Sequence, residues 1–266
     1  MSALPPEVLR YYAAGREHVR ITRGPNRLEL IRTQDILRRH LPPPPARVLD
    51  VGGGAGVHAE WLAGSGYAVH LVDPVPLHVE QAQALGSVTA AIGDARQLAE
   101  PDASYDATLL LGPLYHLVDR AERVRALAEA GRVTRPGGLV AAAAISRFAP
   151  FIDGFSNGAV ADPRFAAMME RDLLEGQHRN EANEPGWFTT AYFHHPDELP
   201  TEIVDAGLDL VAVVAVEGPV AEVSALDAAL DDPPQRALLL RTLRRLEGEP
   251  SLLGASPHLL ALARHR

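Results

Sequence analysis

Cysteine is absent from the 266 residues, so no disulfide and no thiolate metal site can form. Lysine is absent as well, and with abundant Ala, Arg, Pro and Leu this composition points to a high-GC bacterial genome. Aromatic residues make up only 5% of the chain, so where they gather is informative. No apolar run approaches the length of a membrane span: the longest, Leu139 to Ile145, is far too short to cross a bilayer, and no membrane partner is expected. Positive charge is in deficit, 25 Lys plus Arg against 34 Asp plus Glu, for a net charge of −9. Such a chain has no overall field to attract phosphate backbones, and the short clusters Arg38–Arg39 and Arg244–Arg245 make no clear patch, so nucleic acid is not an expected partner. Met1 to Arg10 lacks the basic-then-apolar pattern of a signal peptide, and the expected location is cytoplasmic. Oligomeric state is open, with a homodimer as one alternative.

What is present is a core-forming chain with 47% hydrophobic residues. Residues 1–40 read as helical and amphipathic, with Leu28, Ile31, Ile36 and Leu37 at helix spacing, and Pro42 to Pro45 stop the helix. Strands are expected at 47–51, 68–72, 88–92, 105–111 and 139–145, with helices at 58–63, 77–84 and 120–133 between them. Near-continuous apolar strands alternating with helices indicate a parallel sheet covered on both faces. The regularity breaks over 147–195, which carries mixed short helices such as 165–174. A helix at 196–206, a strand at 208–216, a helical stretch at 225–246 interrupted by Pro233-Pro234, and a strand at 258–263 follow.

The sharpest local feature is Val48-Leu49-Asp50-Val51-Gly52-Gly53-Gly54-Ala55-Gly56, a strand feeding glycines and then a helix. Glycine is required where a turn takes positive φ or where backbone must approach a ligand closely, and helix-start amides can receive ligand oxygens. The spacing is G-x-G-x-G. The dinucleotide pattern G-x-G-x-x-G needs its third glycine where Val57 stands, which disfavours a nicotinamide-dependent oxidoreductase. Asp73 ends the next strand, 23 residues after Asp50, where a carboxylate can accept both hydroxyls of a ribose. Gly93-Asp94-Ala95 follows the third strand and suits an adenine amine. Taken singly, each of these aspartates also reads as an ordinary turn residue.

The order DVGGGAG, VDP, GDA, LLLGP and RPGG, over about residues 46–146, resembles the class I S-adenosylmethionine-dependent methyltransferases. The resemblance implies an α/β fold: a doubly wound, seven-stranded, mostly parallel sheet whose last strand is antiparallel, with an N-terminal helical cap at 1–45, a cofactor-binding core at 46–146, a substrate lid at 147–195 and completion of the core at 196–266. It implies S-adenosyl-L-methionine as cofactor and S-adenosyl-L-homocysteine as product. Gly52, Gly54 and Gly56 then face the methionine and ribose part, Asp73 the ribose, and Asp94 and Ala95 the adenine. Asp50, Pro74, Leu111, Gly112 and His116 complete the expected cofactor set.

Methyl transfer from a sulfonium is an in-line displacement with an activated methyl group, so the protein mainly positions the reactants. A base helps only if the nucleophile must lose a proton. His194 is the first candidate base and His178 a weaker one. Tyr115, Phe151, Phe155 and Tyr192 are candidate acceptor contacts, because most of the scarce aromatics fall in or beside the 147–195 segment. A small auxiliary core would use the same residues. Arg32 is a candidate partner for the methionine carboxylate. No metal is expected, since there is no H-E-x-x-H and no clear carboxylate cluster. The expected activity is metal-independent methylation of an O or N atom of a small, apolar or aromatic molecule, with a secondary-metabolite acceptor plausible. The rival from another class is a noncatalytic S-adenosylmethionine-binding regulatory protein.

Overall fold

The computed structural model describes residues 5–13, 21–22, 24–181, 184, 186–220 and 225–266. The rest of the expected 1–45 and 147–195 segments lies outside the described residues. Seven strands form one sheet: β1 (Arg47–Val51), β2 (Ala68–Asp73), β3 (Thr89–Ile92), β4 (Tyr105–Leu110), β5 (Thr134–Ile145), β8 (Leu208–Ala215) and β9 (His258–His265). Their order is β3-β2-β1-β4-β5-β9-β8. β3, β2, β1, β4 and β5 run parallel, and β9 runs antiparallel to both β5 and β8. This is the sheet expected from the sequence, with its final strand reversed.

Side-chain alternation divides the core between the two faces of this sheet. Leu49, Leu110, Val140 and Ala142 pack in one cluster with Leu127 of α5 (Arg120–Val133) and Ile203 of α8 (Glu198–Asp205). Val48, Leu109, Leu139 and Ala141 pack in the other with Ile36 of α2 (Arg27–His40), Leu62 of α3 (Val57–Gly64) and Ala82 of α4 (Pro76–Ala84). Both faces are therefore dry, which is why these strands read as continuous apolar runs. The order reverses beside β1, so the carboxyl ends of β1 and β4 leave a crevice that the loops after them must line.

Between β5 and α8 the chain forms α6 (Ala149–Ser156), α7 (Pro163–Glu175) and a small ribbon, β6 (Gln177–His178) with β7 (Ala191–Tyr192). The ribbon was not expected: two residues per strand leave no periodicity to read. The helical stretch after β8 is two helices, α9 (Leu226–Asp231) and α10 (Pro233–Leu246). Pro233-Pro234 starts the second rather than interrupting one, because proline lacks only amides that a first turn leaves unpaired. Asp232 caps it by accepting from Gln235 N. A short α11 (Pro250–Leu253) precedes β9, and α1 (Pro6–Ala13) opens the described chain. Among the described residues no helix is long and apolar enough to cross a membrane.

Candidate functional site

The turn after β1 builds the floor of a cavity of about 150 Å³ at the carboxyl edge of the sheet. Gly52, at φ +69°, donates to Val72 O at 2.6 Å, which locks the turn to β2. A Cβ there would stand 2.7 Å from the Pro113 ring, so the β1 and β4 loops touch only because side-chain atoms are missing. Gly54, at φ +58°, has open space where its Cβ would be and donates to Asp73 Oδ2 at 2.9 Å. Asp50, Gly52, Gly54, Asp73 and Pro74 border this cavity, as do Asp94, Ala95, Leu111, Gly112, Tyr115 and His116. Gly56 does not. It caps α3 at φ +92°, and its missing Cβ faces Leu85 of the loop after α4, so this glycine serves helix packing.

Three carboxylates of the cavity differ sharply in their surroundings. Asp50 is fully buried, and neither carboxyl oxygen has a hydrogen-bond partner. Burial, helped by the charge of Asp73, pushes its pKa up to about 7. An orphaned buried carboxyl in a ligand-sized cavity calls for a donor from outside the chain. Asp73 is nearly as buried but well supplied: Oδ2 accepts from Gly54 N, and Oδ1 from Val75 N and from the His78 ring at 3.1 Å. Those bonds fix its orientation and leave lone-pair capacity on Oδ2. Asp94 accepts from the Arg96 guanidinium through both oxygens, and although burial opposes it, the arginine holds its carboxyl below the usual range.

Two histidines in this wall are neutral. Burial takes His116 down to about pKa 4, against the weaker pull of Thr190 O and Asp73. Its Nδ1 donates to Thr190 O at 3.2 Å, so Nε2 accepts from the Tyr12 hydroxyl at 2.7 Å. His58 also falls to about 4 by burial. Tyr12, Val8 and Leu9 bring α1 over the opening.

A second cavity, of about 260 Å³, adjoins the first, sharing Tyr12, Glu29 and Tyr115 as a common wall. Aromatic rings, Tyr11, Tyr115, Phe165, Trp187, Phe188 and Phe193, share its sides with polar side chains such as Asn26, Glu29, Asp153 and Asn157. Phe188 sits at the centre of this group, with ring contacts to Tyr11, Tyr115, His116 and His178 between 5.5 and 6.3 Å. Its floor is the far side of the sheet edge, where Ile145 ends β5 and His258 begins β9. Glu217, just past β8, and His258 lie there with Glu29, their ligand-type atoms within 4.8 Å of one another. The Glu217 and His258 side chains are already hydrogen-bonded to each other at 2.5 Å.

Several expected roles do not fit these positions. Arg32 lines neither cavity. It is wholly buried, pairing with Asp35 at 2.7 Å and Glu247 at 2.5 Å and donating to Val216 O, so α2 uses it to fasten β8 and α10. His194 lines neither cavity either. It is fully buried with Nε2 3.3 Å from Glu202, and burial lowers its pKa despite that neighbour. Tyr192 is covered by the Arg123 guanidinium 3.7 Å above its ring and bonded to Glu198 and Arg147. Phe151 and Phe155 meet at a tilt, ring centroids 5.0 Å apart, but remain 49% and 60% exposed and border neither cavity. His178 does line the second cavity, with Nδ1 2.6 Å from Asp172 and Nε2 3.3 Å from Phe188 O.

Sequence reasoning missed His58, Glu29, Glu217 and His258 as cavity residues. His258 had one usable signal: a histidine at the first position of a strand expected beside β5. The others stand in helices or loops whose facing depends on tertiary packing.

Comparison with known proteins agrees with this architecture. Residues 48–138 match the family model described as "Methyltransferase domain". The chain is 38% identical over 106 residues to a ubiquinone biosynthesis O-methyltransferase of Methylocella silvestris, covering 38% of this chain and 40% of that one. It is 39% identical over 99 residues to an uncharacterized methyltransferase of Mycobacterium tuberculosis, covering 37% and 39%. The matches thus span about two fifths of the length of these curated relatives. A solved S-adenosylmethionine-dependent methyltransferase of Mesorhizobium loti superposes with a TM-score of 0.59 at 19% identity, over 89% of this chain and 99% of that one. Residues 48–138 thus match a methyltransferase domain, and the fold as a whole is that of the solved S-adenosylmethionine-dependent methyltransferase.

Proposed function

We propose that the chain transfers the methyl group of S-adenosylmethionine to an oxygen or nitrogen of a small aromatic or apolar molecule. The observation that carries this reading is the pair of adjoining cavities: one bordered by the glycine turn and three aspartates, the other by aromatic rings, with Tyr115 in the wall between them. Asp73 is the residue to hold the ribose and Asp94 with Ala95 the adenine side. Among the described residues Asp50 is the cavity carboxyl whose two oxygens are both buried without a partner, and it suits the methionine ammonium. When bound, the cofactor supplies an already activated methyl group. The chain's own work is to orient it, exclude water and hold the acceptor in line.

The acceptor side follows from the rings. Aromatic walls favour a planar apolar body, and the polar groups between them fix its orientation. α1 and the 147–195 segment, which provide most of that wall, act as cap and cover. The M. silvestris relative is named for O-methylation, which supports an oxygen acceptor. No step of this reaction requires a metal, because a sulfonium needs no Lewis acid to release its methyl group.

The test is methyl release from radiolabelled S-adenosylmethionine against a panel of phenols and aromatic amines, with and without a chelator. Turnover of at least one acceptor, undiminished by the chelator, is expected. Tight cofactor binding without turnover on any acceptor would favour the noncatalytic reading instead.

A further inference from the structure

We infer that the Nδ1 nitrogen of His58 receives the methionine carboxylate of S-adenosylmethionine; the inference rests on the reading of the first cavity as the cofactor site. His58 is the second residue of α3, directly after the glycine turn, and borders that cavity. Gly93, Asp94 and Ala95 follow β3, and Asp73 and Pro74 follow β2. His58 follows β1, two strands away from β3 in the sheet, so it stands at the end of the cavity remote from the adenine side.

Chain neighbours fix the place of the ring. Gly52 N and Gly56 N close the turn on Val72 O and Gly53 O. Ala59 and Leu62, both fully buried, fasten α3 to the sheet one and four residues further on. Nδ1 itself is buried and finds no hydrogen-bond partner among the described residues. A nitrogen left so is costly to the free protein, and a ligand group that meets it recovers the loss on binding.

Two described side chains that border this cavity have buried polar atoms without a partner, Asp50 and His58. One is a carboxyl and the other a ring nitrogen able to donate. Together they complement an ammonium and a carboxylate borne on a single carbon, the two charges of an amino acid. The other histidines of the cavity are engaged: His78 Nδ1 lies 3.1 Å from Asp73 Oδ1, and His116 is bonded to Thr190 O and the Tyr12 hydroxyl. Arg32, the side chain expected at this carboxylate, is held by Asp35 and Glu247.

Burial keeps the His58 ring neutral, with its pKa down at about 4 against the weaker pull of Glu29 from α2. A neutral ring donates from Nδ1 in the tautomer that carries its hydrogen there, so the carboxylate is bound without proton uptake. The charge on the acceptor strengthens that bond.

The experiment uses the full chain and calorimetry with four ligands. They are S-adenosylhomocysteine, its decarboxylated analogue S-adenosyl-3-thiopropylamine, its deaminated analogue 4-(adenosylthio)butyrate, and methylthioadenosine, which lacks both groups. His58→Leu is expected to lose about 10- to 100-fold in affinity for S-adenosylhomocysteine and for the deaminated analogue, the range of a hydrogen bond to a charged group. The decarboxylated analogue and methylthioadenosine should stay within about twofold, since they carry no carboxylate to lose. His58→Asn, whose amide sets an N–H near the place of Nδ1, is expected to recover most of the loss. Asp50→Asn should show the mirror pattern, weakening the decarboxylated analogue and sparing the deaminated one. In the wild type, ¹⁵N resonances of His58 should show a hydrogen on Nδ1 in the S-adenosylhomocysteine complex and should not respond to the decarboxylated analogue.

Equal losses for all four ligands in His58→Leu overturn the inference, because the ring would then only support the turn. Wild-type affinity for S-adenosylhomocysteine in that variant overturns it as well. If His58→Leu does not fold, the wild-type resonances decide, and Nδ1 without a hydrogen in the complex overturns the assignment. A wild type that binds none of the four ligands overturns the cofactor reading itself, whereas failure of the His58 pattern with binding intact overturns this inference alone.

Discussion

The two cavities share a wall but are built in opposite ways. The first draws its floor from four successive strand ends, after β1, β2, β3 and β4, so most of its residues come from one stretch of chain, roughly 50 to 117, with α1, Ile21 and Glu29 of α2 added on top. The second draws on α1, α2, the end of β5, α6, α7, the loop before β7 and the β8–β9 edge, from Tyr11 to His258. A site made of consecutive strand ends keeps its spacing through the chain, while a site made of distant segments can change its chemistry without disturbing the sheet. That contrast suits a fixed cofactor beside a variable acceptor.

The largest expected effect comes from breaking the first cavity at its tightest point. Gly52→Ala places a Cβ 2.7 Å from Pro113 at a φ of +69°, and S-adenosylmethionine affinity by calorimetry should fall at least ~100-fold. An affinity within threefold of wild type would mean that the glycine turn does not bound the site.

Next is Asp50→Asn. With its pKa pushed up to about 7, Asp50 holds a proton in the free protein at mildly acidic pH. Pairing with a ligand ammonium needs the carboxylate, so affinity should rise with pH from about 5 to about 7 and level off above; the variant should bind more weakly and without that slope. The stability of the unliganded protein has the opposite sign. The folded state keeps the proton above the unfolded group's ordinary pKa of 3.8, so stability falls as pH rises from about 4 through 7, by as much as about 4 kcal/mol at 1.36 kcal/mol per unit. Asp50→Asn should remove that fall. His58 and His116 act in the other direction: with pKa values lowered to about 4, their contribution is full above about 6.5 and is lost as pH falls toward 4. Chemical denaturation at several pH values separates these two slopes.

Phe188→Ala addresses the second cavity, which Phe188 lines, rather than the first, which it does not. It removes the ring that touches Tyr11, Tyr115, His116 and His178, and should raise the acceptor KM about tenfold while leaving cofactor affinity within twofold. Equal losses on both sides would show that the two cavities are one energetic unit. The smallest effect on binding should come from Arg32→Met, outside both. Leaving Asp35 and Glu247 without their buried partner should cost about 3 kcal/mol of stability with cofactor affinity unchanged.

The same contrast explains what could be read from the sequence. The strands from Arg47 to Ile145 were legible because parallel strands buried on both faces are apolar throughout, and the glycines and aspartates at their ends followed from strand spacing. Gly56 was legible as a glycine but not as a packing residue, because its neighbour, Leu85, comes from the loop after the next helix. Arg32 reads as an exposed helix position, and only the fold shows that β8 and α10 close over it. His194 and Tyr192 lie in a segment dense in functional residue types, yet Glu202, on the helix that follows, claims the one and Arg123, from a distant helix, covers the other. His258 and Glu217 are 41 residues apart and meet only because β9 turns back antiparallel beside β8.

The most direct test of the two-cavity account is a crystal structure with S-adenosylhomocysteine and a bound phenol. The account predicts the ribose on Asp73, the adenine beside Asp94 and Ala95, the sulfur turned toward Tyr115, and the phenol among Phe188, Trp187 and His258. Adenosine density in the aromatic cavity, or a sulfur facing away from Tyr115, would contradict it.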